Sequence, residues 1–158
     1  MSARVVALAR VWIGTPYVHQ ASCRGAGCDC LGLIRGLWRE LHGAEPETAP
    51  PYTMDWDEPQ RLERLWQAAR RHLVAKPLVE AAPGDVILFR MREGAVAKHL
   101  GVQSAIAGGS CPVGQAERVN RGAAFIHAYA GHGVVESPLT PPWQRRIVAR
   151  FHFPKEQI

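Results

Sequence analysis

The stretch Gly27-Cys28-Asp29-Cys30-Leu31-Gly32-Leu33 sets a thiol in the first turn of a helix, directly after a residue suited to cap it. Unpaired backbone N–H groups and the positive end of the helix dipole favour a thiolate there, and cysteines so placed have pKa values lowered to about 3.5 to 7.5. The reading therefore predicts a reactive thiolate at Cys30. Leu33, Ile34, Leu37, Trp38 and Leu41 then recur at helical spacing and Gly43 stops the run, which gives a helix over 30–42. Cys30 falls on the stripe of Ile34, Leu37 and Leu41 and so faces the packed side of that helix. Gly32, with no side chain, is expected to leave room for a substrate backbone.

On the N-terminal side, Ser2 can cap a helix in which Val5, Leu8, Ala9 and Trp12 share a face, with Gly14 and Pro16 closing it; the span is 3–13. On the other side, Ala44 to Asp57 is rich in Pro and acidic residues and reads as a connection. Leu62, Leu65, Trp66, Ala69 and Leu73 outline a third helix that ends near Leu73. From Pro83 the period becomes extended, with runs at 85–91, 100–105, 123–130, 133–137 and 146–153 separated by Gly and Pro. In the last run Ile147, Ala149, Phe151 and Phe153 alternate with Arg146, Val148, Arg150 and His152. Helices first and strands afterwards make an α+β domain, with an antiparallel sheet packed on the N-terminal helices. No repeat or composition break divides the chain, so residues 1–158 read as a single domain. Ile106 to Gly122 is longer than a hairpin needs and is a candidate functional loop.

Composition narrows the function classes. With 158 residues, 47% hydrophobic and 21% charged, and with 15 Gly and 12 Pro, the chain is neither disordered nor fibrous. It contains no apolar run of the roughly 18 residues needed for a membrane span. At this size a core forms without metal or disulfides, so the four cysteines are free for other roles. The net charge of +5 permits an anionic partner. Its cations are scattered in pairs such as Arg70 with Arg71 and Arg145 with Arg146, without interleaved aromatics, which argues against nucleic acid. Met1 to Arg10 holds no cleavable apolar core, so no secretory signal is expected.

A cysteine nucleophile needs a base, which can lie far along the chain. Of seven histidines, His42, His72 and His152 read as helix-end or surface groups. His99 opens His99-Leu100-Gly101-Val102 at a strand edge, and His127 sits inside the apolar run Phe125-Ile126-His127-Ala128. Two inward histidines on neighbouring strands allow one to act as base while the other orients its ring. Cys23, Cys28 and Cys30 lack the paired Cys-x2-Cys spacing of structural zinc sites, and neither metal nor cofactor is called for.

These segments resemble the NlpC family of cell-wall cysteine peptidases. The likeness runs through Gly14-Thr15-Pro16-Tyr17, Asp29-Cys30-Leu31-Gly32-Leu33, Gly84-Asp85-Val86-Ile87-Leu88-Phe89, His99-Leu100-Gly101-Val102 and Ile126-His127-Ala128, in that order. The resemblance implies a papain-like fold, with N-terminal helices on a five- to six-stranded antiparallel sheet. It also implies Cys30 as nucleophile, His99 as base and then acid, and His127 as the group that orients His99. Tyr17, with Asp29 and Gly32, is implied to line the substrate and oxyanion side. The implied reaction is cleavage of peptidoglycan stem peptides at the bond between γ-D-glutamate and a diamino acid.

Leu31 stands where many members have Ser. The wording around Cys30, with Trp12-Ile13 ahead of Gly14 and His19-Gln20 between, is similar to the branch found with tails of phages and gene transfer agents. That likeness implies a protein made in the bacterial cytoplasm without a signal peptide, incorporated in a phage-like tail beside hub or tip proteins, and acting at the periplasmic wall. An inactive structural tail-tip component with the same fold is the alternative.

Overall fold

A computed structural model describes residues 2–52, 62–108 and 122–155. Helix α1 (Ser2–Val11) is followed by a two-stranded ladder, β1 (Ser22–Cys23) and β2 (Gly27–Cys28). Helices α2 (Cys30–His42) and α3 (Arg64–His72) come next, then the short β3 (Val74–Lys76). Strands β4 (Val86–Arg90), β5 (Ala97–Ala105), β6 (Ala124–Tyr129) and β7 (Gly133–Pro138) run on to a one-turn helix, α4 (Pro141–Gln144), and to β8 (Ile147–His152). The main sheet has six strands in the order β3-β8-β4-β5-β6-β7, every pair antiparallel. The α+β class and the antiparallel sheet follow the sequence reading.

The sheet is covered on both faces. Leu33, Leu37 and Leu41 of α2, with Val5 and Ala9 of α1, pack on Leu88, Leu100, Val102 and Phe151. The opposite face holds Ile87, Phe89, Phe125 and Leu139, closed by Trp143 and Ile147. The two helices meet where the Trp12 ring lies over Gly36, since a Cβ there would stand 2.2 Å from the ring.

Several boundaries differ from the sequence reading for physical reasons. Helix α1 ends at Val11, because Gly14, at φ +93°, turns the chain so that its N–H donates to Val134 O at 3.0 Å. Strand β5 begins at Ala97, so His99 lies inside a strand, opposite Phe89, and not at a strand edge. Strand β3 is three residues long and mostly exposed, too short to leave an alternation in the sequence. Ile147 does not share a face with Ala149 and Phe151. A bulge pairs Leu88 with Ala149 but Phe89 with Ile147, which moves Ile147 to the outer cluster. Residues 53–61 and most of the Ile106 to Gly122 loop, with Cys111, lie outside the described residues.

Candidate active site

The thiol is positioned by the start of α2. Asp29 caps the helix as predicted: its Oδ1 accepts the Gly32 N–H at 2.7 Å, and its Oδ2 accepts the Gln20 N–H at 2.7 Å and the Tyr52 hydroxyl. Tyr17 comes alongside through a backbone bridge to Cys28, with the Cys28 N–H donating to Pro16 O at 3.0 Å. Gly32 serves a different end from the one predicted. A Cβ there would stand 1.8 Å from Ala21 O, so its missing side chain admits the backbone ahead of β1, and no space remains for substrate.

Cys30 is buried among the helix-side core residues, and its Sγ donates to Lys98 O at 3.6 Å, one residue before His99. His99 Nε2 lies 2.8 Å from His127 Nδ1, and His127 Nε2 lies 2.9 Å from Ser137 Oγ. Gly101 makes room for this arrangement, since a Cβ there would lie 2.8 Å from the Phe125 ring and 3.4 Å from His127 Cβ. Both Cys30 and His99 line one cleft of about 280 Å3, together with Tyr17, Asp29, Tyr52 and Tyr129. His127 stands behind His99, outside the lining. A second, apolar hollow of about 120 Å3 between α2 and α3, bordered by Ile34, Trp38 and Leu65, contains none of the three.

Electrostatics reverse one expectation. Burial, and then the neighbouring Asp29 carboxylate, push the Cys30 thiol up to about 12, outweighing the backbone N–H groups of Leu100 on β5 and of Leu31 and Cys30 at the helix start, which favour a thiolate. Burial, then His127 and Arg146, bring His99 down to about 3; burial and His132 bring His127 down to about 4. The resting site is a neutral thiol beside a neutral imidazole. Tyr17 is raised to about 12 by burial and by Cys30 and Asp29, so its hydroxyl stays a donor. Two neutral rings allow the pair two proton orders. If His99 Nε2–H donates to His127 Nδ1, then His127 Nε2–H donates to Ser137 Oγ and His99 Nδ1 keeps its lone pair; the reverse order leaves no base at Nδ1.

Cys30, His99, His127, Tyr17 and Asp29 thus come together, while Gly32 supports the fold. Sequence reasoning missed Tyr52, Tyr129 and Ser137. Ser137 had a signal: the hairpin register sets His127 opposite Val135, which puts Ser137 diagonally across on the same face. Tyr52 reaches the cleft from within the long connection between α2 and α3, and nothing local marks it. Cys23 and Cys28 are free thiols, the first exposed and the second buried.

The same arrangement of elements recurs in solved structures. An NlpC/P60 family protein from Bacillus cereus is 18% identical over 97% of this chain and 40% of its own, with a TM-score of 0.61. A protein from Staphylococcus aureus, described as similar to lipoprotein of the NLP/P60 family, is 19% identical over 96% of this chain and 41% of its own, at 0.58. The NlpC/p60 domain of the peptidoglycan hydrolase SagA is 19% identical over 97% of this chain and 99% of its own, at 0.59. The chain therefore spans about two-fifths of the first two proteins. No curated protein matches the sequence. The sequence profile of the NlpC/P60 family matches residues 14–151, a stretch that takes in Tyr17, the capped cysteine and both strand histidines, and by that match the chain belongs to the NlpC/P60 family.

Proposed function

We propose that this chain is a thiol endopeptidase that cuts the stem peptides of peptidoglycan, at the bond between γ-D-glutamate and a diamino acid. The observation that carries the reading is the cleft that a helix-start cysteine and a strand histidine both line, with Nε2 of that histidine 2.8 Å from a second imidazole. The family, the likeness to the peptidoglycan hydrolase SagA and a net charge of +5 suited to a carboxylate-bearing polymer support it.

Cys30 Sγ leaves the Lys98 carbonyl and attacks the scissile carbonyl carbon as its proton passes to His99 Nδ1. The oxyanion takes hydrogen bonds from the Tyr17 hydroxyl and from the Cys30 N–H, which has no partner inside the helix. His99 gives its proton to the leaving amine as the C–N bond breaks, leaving a thioester. Water, deprotonated by His99, then releases the acid and restores the thiol. Because thiol and imidazole both start neutral, proton transfer accompanies attack.

Purified peptidoglycan is the test substrate. The parent chain releases stem-peptide fragments whose masses identify the bond, and Cys30→Ala keeps its fold while release drops at least about a thousandfold. Equal digestion by the alanine variant would overturn the assignment. The likeness to the tail-associated branch adds a carrier: we infer that the chain rides on a phage-like tail and opens the wall locally. Co-purification with a particle is expected. A parent chain that stays with the particle but releases no fragments points to the inactive structural component.

A further inference from the structure

The outer face of the histidine pair is closed by one indole. Trp143, on the single turn α4, has its ring centroid 5.7 Å from that of His99 and 5.3 Å from that of His127. It also meets Phe89 at 5.4 Å, Phe125 at 5.1 Å and Tyr129 at 5.8 Å. The Arg146 guanidinium stands 5.1 Å over the same ring. This turn is fixed to the sheet: Leu139 N–H donates to Ala123 O at 2.8 Å, Arg146 N–H to Trp143 O at 3.0 Å, and Arg90 N–H to Arg146 O at 2.8 Å. Trp143 is not among the residues that line the cleft.

Building on the catalytic reading above, we propose that Trp143, clamped beneath Arg146, is a positioning residue that seals the His99–His127 hydrogen bond from water and holds its two rings in the order that leaves His99 Nδ1 unprotonated. A 2.8 Å contact between two imidazoles fits either proton order, and water reaching either ring would supply protons that exchange one order for the other. Aromatic packing on the outer side removes that water. The charges around the pair act in the same sense: Arg146 from the α4 turn disfavours an imidazolium at His99, and His132 from the β6–β7 turn disfavours one at His127. Across the cleft, Tyr17 and Cys30 are neutral, and Asp29 is held by three donors of its own. Trp143 thus acts on the reaction through the histidines and touches no reacting atom.

Nitrogen-15 NMR of the labelled imidazoles reads the proton order without turnover. In the parent, His99 shows a bare Nδ1 and a protonated Nε2, with no titration above pH 5. In Trp143→Leu the two nitrogens average and His99 titrates near its ordinary value of about 6.5, so kcat/KM at pH 5.5 falls about tenfold and the loss shrinks towards pH 8. Trp143→Phe retains the parental order, and Arg146→Gln raises the same titration while leaving the indole in place. Unchanged proton order and titration in Trp143→Leu and Arg146→Gln overturn the proposal; should the leucine variant fail to fold, unchanged titration in Arg146→Gln alone does so. A parent chain with the expected order but no peptidase activity would sink the catalytic reading and leave this one standing.

Discussion

At the scale of single residues, the site is governed by a contest between helix-start donors and burial. Cys30 has both the first-turn position that favours a thiolate and the burial, with Asp29 beside it, that opposes one; burial wins and the thiol rests near 12. A cysteine peptidase built on a resting ion pair would alkylate at a rate that levels off between pH 5 and 8. Here the alkylation rate of Cys30 by iodoacetamide is expected to climb about tenfold per pH unit through that range, as for a thiol far below its pKa. A plateau would show that the thiolate is already formed. The sequence singled out Cys30, His99 and His127 by local patterns, a cap and two strands, and Tyr17 by the family resemblance alone; the structure sets Cys30, His99 and Tyr17 around one cleft with His127 behind His99. The sign of the Cys30 shift was not legible in the sequence, since burial depends on β5 arriving against α2 from nearly seventy residues away.

At the scale of elements, α2 was readable to its ends because its cap, stripe and stop are all local. The role of Gly32 was not readable, since the atom that fills its space belongs to Ala21, on a loop whose path no periodicity reports. Gly32→Ala sets a methyl 1.8 Å from Ala21 O, which the backbone can relieve only by moving the loop that carries Gln20, whose N–H donates to Asp29. The expected cost is about 3 kcal/mol, measured by urea unfolding. A loss under about 0.5 kcal/mol would mean that the loop gives way freely. Trp143 escaped notice for a similar reason, because a single turn after two prolines carries no periodic signal.

At the scale of the whole molecule, the outer face of the sheet is tied by a buried polar cluster. Arg150 on β8 donates to Asp85 Oδ2 at 3.0 Å, to Gln103 Oε1 at 2.7 Å and to Leu78 O at 3.2 Å, while Lys76 on β3 reaches Asp85 Oδ1 at 2.9 Å. The sequence shows Arg150 as a polar residue of an alternating strand, yet it is 4% exposed, so the sequence pattern alone misjudges which face water reaches. Arg150→Leu leaves Asp85 and Gln103 without that partner and is expected to lower stability by about 3 kcal/mol, seen as an earlier urea midpoint, with the folded fraction still competent in digestion. An unchanged midpoint would show that Lys76 alone satisfies the cluster. The sheet order carries one more consequence. Strand β8, translated after the other five strands of its sheet, lies between β3 and β4, so the hairpin that bears His99 stays open on one side until residue 152 has been translated. A nascent chain halted before that point holds its thiol and both histidines yet lacks a finished sheet to align them, so the cleft takes its final shape only once β8 has been made.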